Sequence, residues 1–309
     1  MPKFEANNLN GVMPAMITSF NKDESINKEG LRNIINHSIN EKVNGLYVTG
    51  STGETFLMSP EEKKKVIDII VEEVNGRAPV IAHIGSIGTK ITTDLAEYAT
   101  KAGVDGLSAL PPFYYNFTNE EIFNYYSDIA KSSDLPIIIY NIERANLMDI
   151  DTLKKLAAIE NIKGVKYTAA THFNFEVIKK EIGNYFKIYN GMDQMAVSGL
   201  ISGADGLIGS FYNLMPEIFV KIFENINKGN IAEAKKLQTK ANVIILYAVK
   251  KSGYSFIKMG LNWMGVDSGY VRKPFTSFVD TEIEKEIKKD LKVLCSEYDL
   301  SGIKFLETL

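Results

Sequence analysis

The chemistry in this chain centres on Lys166, which ends the run Asn161-Ile162-Lys163-Gly164-Val165-Lys166 and precedes Tyr167-Thr168. The pattern reads as a short strand with an amine at its C-terminal end. Most lysines so placed leave the strand into solvent. One held inside tends to shed its proton, because burying an unpaired ammonium is costly. The neutral amine is then a nucleophile toward carbonyls. Its neighbours decide between the two readings. Gly50-Ser51-Thr52-Gly53-Glu54 sets two hydroxyl residues between glycines, where hydroxyl and backbone N–H groups can receive a carboxylate. Tyr140-Asn141 ends another apolar run and offers a phenol that can relay protons, although a lone tyrosine is more often a core residue with a bonded hydroxyl. Amine, phenol and anion-binding turn together suit a Schiff-base (class I) aldolase acting on a 2-oxo acid. The amine adds to the ketone, the iminium draws in the electrons of the breaking carbon–carbon bond, and the enamine is reprotonated. That chemistry requires no metal and no cofactor.

Such residues converge only if the elements carrying them do. Candidate strands lie at 11–17, 45–48, 80–84, 106–110, 137–140, 162–166, 186–189 and 206–209, with helical patterns between them. Leu31, Ile34, Ile35 and Ile39 share one helical face, and so do Ile122, Tyr125, Tyr126 and Ile129. Ser59-Pro60-Glu61-Glu62 and Thr118-Asn119-Glu120-Glu121 are capping boxes, and Gly183 and Gly203 sit where helix-ending glycines belong. Eight strand–helix units by about residue 225 predict a parallel sheet closed into a (β/α)8 TIM barrel. An open doubly wound sheet is the alternative, but no Gly-x-Gly-x-x-Gly follows the first strand. Beyond residue 227 the pattern is helical only, with one stripe through Ile231, Ala234, Leu237, Ala241, Ile245 and Ala248 and another through Ile283, Ile287, Leu291 and Leu294. The expected organisation is a catalytic barrel over 1–227 and a helical appendage over 228–309.

Barrel enzymes work at the C-terminal ends of their strands. The fourth strand leads to Pro111-Pro112-Phe113-Tyr114-Tyr115, the seventh to Asn190-Gly191-Met192-Asp193-Gln194, and the eighth to Gly209-Ser210. The last resembles a barrel phosphate grip, yet no lysine or arginine lies nearby to neutralise a phosphate. Composition narrows the classes further. Of 309 residues 45% are hydrophobic and 24% charged, which is ordinary for a globular enzyme, and the net charge of -3 leaves no basic footprint for nucleic acid. One cysteine, Cys295, excludes an internal disulfide and fits a reducing compartment. His37, His83 and His172 show no metal-ligand spacing. Residues 1–7 carry no apolar leader core, and no run of about 18 apolar residues predicts a membrane span. A cytoplasmic protein is expected.

These motifs resemble the N-acetylneuraminate lyase and dihydrodipicolinate synthase superfamily of pyruvate-dependent barrels along essentially the whole chain. The matching segments are Gly45-Leu46-Tyr47-Val48 with Gly50-Ser51-Thr52-Gly53-Glu54, Tyr140-Asn141-Ile142, Gly164-Val165-Lys166-Tyr167-Thr168, and Ala204-Asp205-Gly206 running to Gly209-Ser210. Gly-Ser-Thr-Gly-Glu, Pro112-Phe113-Tyr114-Tyr115, Tyr189-Asn190-Gly191-Met192-Asp193 and Val271-Arg272-Lys273-Pro274-Phe275 look like the sialic acid lyase branch. The resemblance implies that Lys166 forms the Schiff base with pyruvate or the open-chain sugar acid and that Tyr140 shuttles protons. It implies that Ser51 and Thr52 hold the carboxylate, and that Tyr114 belongs to a proton-relay and interface region. Thr168, Gly191, Asp193, Gly209 and Ser210 match sugar-binding positions, and a homotetramer is expected. Gln194 stands where the branch has glutamate, residues 143–147 replace its usual Pro-x-x-Ser/Thr-Gly, and Phe211 replaces a threonine. Ala145 lies where dihydrodipicolinate synthases carry an arginine, with Arg144 one residue away. The implied reaction is cleavage of N-acetylneuraminate to N-acetylmannosamine and pyruvate. A different pyruvate-dependent aldolase of this superfamily, or a silent relative that binds sugar or 2-oxo acids, is the alternative.

Overall fold

A computed structural model describes residues 9–309; residues 1–7, read as carrying no leader, lie outside the described residues. The chain alternates strand and helix through β1 (Gly11–Pro14), α1 (Lys28–Asn40), β2 (Leu46–Val48), α2 (Pro60–Val74), β3 (Val80–His83) and α3 (Thr89–Ala102). It continues through β4 (Gly106–Ala109), α4 (Asn119–Lys131), β5 (Ile137–Ile142), α5 (Ile150–Ala157), β6 (Ile162–Thr168) and α6 (Phe173–Ile182). The last units are β7 (Lys187–Asn190), α7 (Ala196–Ile201), β8 (Gly206–Gly209) and α8 (Pro216–Asn227). Three helices then follow: α9 (Ile231–Lys251), α10 (Gly253–Trp263) and α11 (Glu282–Glu297).

Local chemistry sets these boundaries. The Ser59 hydroxyl accepts the Glu62 N–H while the Glu62 carboxylate accepts the Ser59 N–H, and Thr118 and Glu121 repeat the exchange at α4. Gly183 and Gly203 take φ of +119° and +102° after α6 and α7, a backbone region that favours glycine. The faces of α1 and α4 read from the sequence are turned inward: Leu31, Ile34, Ile35, Ile122, Tyr125, Tyr126 and Ile129 are buried.

The eight strands are parallel, in the order β1-β8-β7-β6-β5-β4-β3-β2. The remaining seam is closed by Met16 N–H on the Tyr47 carbonyl and Asn44 N–H on the Val12 carbonyl, each at 2.8 Å. The fold is a TIM barrel. Met13, Tyr47, Ile81, Ile138, Tyr189 and Ile208 fill its interior, and a larger apolar layer separates strands from helices.

One boundary and one helix differ from the sequence expectation in ways that matter for chemistry. The ladder between β5 and β6 continues through Asn141–Tyr167 and Ile142–Thr168, so Lys166 sits two residues inside its strand rather than at its end. Helix α10 was read only as part of the helical stretch beyond residue 227; seven consecutive residues of it, 255–261, are buried. Among the described residues no helix is long and apolar enough to cross a membrane, and no cluster of three His, Cys, Asp or Glu side chains is placed to hold a metal.

Candidate active site

Register places the amine and the phenol side by side. Tyr140 pairs with Lys166 and Lys166 with Tyr189 across β5, β6 and β7, and residues level with one another across a sheet point to the same face. Lys166 is 4% exposed, and its Nζ lies 4.2 Å from the Tyr140 ring centre and 4.3 Å from that of Tyr47. Burial pulls the amine from 10.5 down to about 7, with the Asp193 carboxylate partly opposing the shift. Near neutral pH a substantial fraction of Lys166 is therefore a free amine.

The Tyr140 hydroxyl is pushed up to about 12, chiefly by burial, while the Ser51 and Thr168 hydroxyls near it pull the other way. It thus holds its proton at neutral pH and can donate it to a developing charge. His83 packs edge-on against the same ring at 6.0 Å. Its Nε2 lies 3.4 Å from the donating Leu110 N–H and its Nδ1 lies 3.2 Å from the Thr49 carbonyl, so the proton sits on Nδ1. Burial holds this imidazole down to about 3, which keeps it neutral.

The turn after β2 faces this pair. Thr49 and Glu54 adopt left-handed φ values of +54° and +60°, and Thr49 is held there by its hydroxyl on the His83 carbonyl at 2.9 Å. Between them the Thr52 and Ser210 hydroxyls meet at 2.7 Å, joining the turn after β2 to the end of β8. The Glu54 carboxylate is buried with Lys258 of α10 at 2.7 Å.

Asp193 is buried and accepts the Phe211 N–H at 2.8 Å; burial raises its carboxyl to about 6. Two glycines make room around it. A Cβ on Gly209 would come within 1.9 Å of Asp193 Oδ1, and one on Gly191 within 2.0 Å of Thr168 Oγ1. That Thr168 oxygen is buried beside the Tyr140 hydroxyl. Gly191, Asp193, Gln194, Ser210 and Phe211 line a cavity of about 200 Å³. A second cavity of about 560 Å³, lined by Ser51, Glu54, Phe56, Arg144 and Phe275, shares Val249, Gly253 and Tyr254 with the first. The strand ends thus present an amine, a protonated phenol, hydroxyl donors and a carboxylate around one mouth.

Of the residues singled out in the sequence, ten assemble here: Lys166, Tyr140, Ser51, Thr52, Thr168, Gly191, Asp193, Gln194, Gly209 and Ser210. Gln194 is exposed at the cavity rim. Tyr114 is not brought in. It is 78% exposed and rests edge-on against Tyr115, itself 67% exposed. The divergent residues 143–147 are closed off by Asn141, whose side chain bonds both the N–H of Met148 at 2.8 Å and its carbonyl at 3.2 Å. Arg144 is exposed at the mouth, and buried Ala145 packs on Tyr140. The sequence reading missed Tyr47, His83, Tyr254 and Lys258. The first two were recoverable from strand alternation, since Tyr47 and His83 stand at inward positions of β2 and β3.

The dihydrodipicolinate synthetase family model matches residues 8–294. The N-acetylneuraminate lyase of Clostridium perfringens strain SM101 is 39% identical over 286 residues, spanning 91% of this chain and 99% of that protein. Among solved structures, CdNal of Clostridium difficile in complex with mannosamine superposes with a TM-score of 0.89 at 37% identity, covering 93% of this chain and 99% of that one. The N-acetylneuraminate lyase of Fusobacterium nucleatum complexed with pyruvate gives 0.87 at 37% identity, covering 94% and 98%.

Proposed function

The chain belongs to the dihydrodipicolinate synthetase family, and on that premise we propose that it is a carbon–carbon lyase cleaving N-acetylneuraminate reversibly to N-acetylmannosamine and pyruvate. The single observation that carries the mechanism is a buried Lys166 amine, held down to about 7, against the ring of a protonated Tyr140. Relatives named for this reaction, one complexed with an amino sugar and another with pyruvate, support the substrate.

Lys166 Nζ adds to the ketone carbon of the open-chain sugar acid, water leaves, and an iminium forms. Tyr140 gives its proton to the departing water and, as the phenolate so formed, takes the proton of the hydroxyl on the carbon about to depart. The bond between that carbon and the methylene beside the iminium then breaks. Its electrons flow into the iminium to give an enamine, and the departing carbon becomes the aldehyde of the amino sugar. Reprotonation of the enamine and addition of water release pyruvate and restore the amine. Ser51 and Thr52 hold the carboxylate. Thr168, Gly191, Asp193, Gln194, Gly209 and Ser210 receive the polyhydroxyl chain. Incubation with N-acetylneuraminate is expected to release pyruvate. Turnover of a different 2-keto-3-deoxy acid, with no sialic acid cleaved, would overturn the lyase reading and leave only the aldolase chemistry.

Gln194 tunes substrate choice within this reading. A carboxylate accepts hydrogen bonds from sugar hydroxyls more strongly than an amide does. Gln194→Glu is therefore expected to lower KM for N-acetylneuraminate while leaving borohydride trapping of pyruvate unchanged. Loss of cleavage in that variant would show the glutamine matched to a different sugar acid.

We extend the proposal to a cytoplasmic homotetramer. Exposed Tyr114 and Tyr115, with Ile87 at 58% exposure, offer aromatic and apolar surface that a second copy would cover. Tyr114 then acts in the proton relay only in the assembled form. Sedimentation is expected to give a species several times the 34.5 kDa chain mass, and a monomer alone at micromolar concentration would refute the assembly.

A further inference from the structure

The Ser51–Thr52 turn is gripped from beyond the eight β/α units. Glu54, which ends it, spends both carboxylate oxygens on the C-terminal region. Oε1 pairs with Lys258 Nζ of α10 at 2.7 Å, with neither side chain exposed, and Oε2 accepts the Arg272 backbone N–H at 2.7 Å. Lys258 also donates to the Tyr270 carbonyl at 2.6 Å and lies 4.8 Å from the centre of the Phe20 ring. The Arg272 guanidinium reaches the Leu57 carbonyl at 2.8 Å and Glu62, the capping residue of α2, at 2.9 Å. On the barrel side the turn is held by Thr49 Oγ1 on the His83 carbonyl and Thr18 Oγ1 on the Gly53 carbonyl, each at 2.9 Å, and by the Thr52–Ser210 contact.

A buried ion pair is a poor stabiliser, since desolvating two charges offsets most of their attraction, and an apolar pair of similar volume often does as well. It is a good locator, because charge-assisted bonds from both oxygens admit few geometries. We propose that Glu54 and Lys258 are positioning residues for the substrate carboxylate: their pairing sets the Ser51–Thr52 turn, and through it α10 takes part in binding 2-oxo acids. The inference rests on the aldolase reading above and goes beyond it by giving the C-terminal helices a share in recognition.

Borohydride trapping on Lys166 tests it with two ketones, pyruvate and hydroxyacetone, which lacks a carboxylate. The variants are Glu54→Gln, isosteric and still able to accept the Arg272 N–H, and Glu54→Gln/Lys258→Met, which removes both buried charges without orphaning either. The half-saturating pyruvate concentration is expected to rise about tenfold, the scale of a disturbed charge-assisted hydrogen bond. The trapping rate at saturation is expected to stay within about threefold of the original enzyme, and hydroxyacetone saturation to stay unchanged. Parallel weakening of both ketones would make the pair merely structural, and no change in either would remove the role altogether; both results overturn the proposal. Wild-type enzyme that traps neither ketone would instead overturn the aldolase reading. If the double variant does not fold, Glu54→Gln alone carries the same readout.

Discussion

Lys166→Ala is expected to lose turnover by roughly 10⁴–10⁶-fold, the scale on which removal of a covalent nucleophile registers. Without the amine there is no iminium, and the carbon–carbon bond has no electron sink into which to break. Borohydride reduction with pyruvate is expected to add a reduced pyruvyl group to the peptide carrying Lys166 in the original chain and nothing in the variant. Lys63 is the internal control, because burial also draws its amine down, to about 8, while its Nζ sits over the Phe56 ring at 5.5 Å rather than against Tyr140. Label on Lys63, or unmodified Lys166 peptide, would sink the assignment. Only the neutral amine adds to a ketone, so the trapping rate should rise with pH through about 7 and then level off. The same shift has a stability sign. The folded amine titrates near 7 and the unfolded one near 10.5, so the burial penalty is fully present below about pH 7 and fades as pH approaches 10.5. Lys166→Met should therefore raise Tm most at low pH, and an equal Tm gain at every pH would argue against a buried ammonium.

Tyr140→Phe is the second large effect. The ring beside Nζ remains, so the fold and the amine's apolar surroundings are kept, but the hydroxyl near Ser51 and Thr168 is gone. Turnover is expected to fall by about 10²–10⁴-fold, the usual span for a group that moves protons in the transition state. Pyruvate trapping should persist at a slower rate. That split separates the two roles, since a defect in the nucleophile stops both processes. Near-normal turnover would return Tyr140 to packing.

The barrel was legible because each unit buries its strand and one helix stripe, and both leave a period in the sequence. Helix α10 was legible only as part of the helical stretch beyond residue 227, and its buried Lys258 was not, since the partner that holds it, Glu54, lies 204 residues away along the chain. Lys166 and Tyr140 were legible as an amine and a phenol at neighbouring strand ends. The register that makes them touch was not, because the two-residue extension of β5 and β6 depends on their continued pairing. Asp193 and Gly209 were placed at strand ends by the pattern and given a sugar-binding role by resemblance alone; the close fit between them, a carboxylate oxygen pressed against a bare Cα, exists only once β7 and β8 are adjacent. Tyr114 illustrates the limit in the other direction. Its motif is present, yet within one chain its ring points to solvent.

The Asn141 clamp on Met148 has an evolutionary corollary. By fixing both feet of the 143–147 segment with two hydrogen bonds, it separates the identity of that segment from the placement of Tyr140. Glu143 and Arg144 are exposed, Asn146 is exposed but holds a φ of +55°, and Ala145 is buried in one apolar cluster with Tyr140. The mouth can thus change at Glu143 and Arg144 while Lys166 and Tyr140 beneath it keep their places.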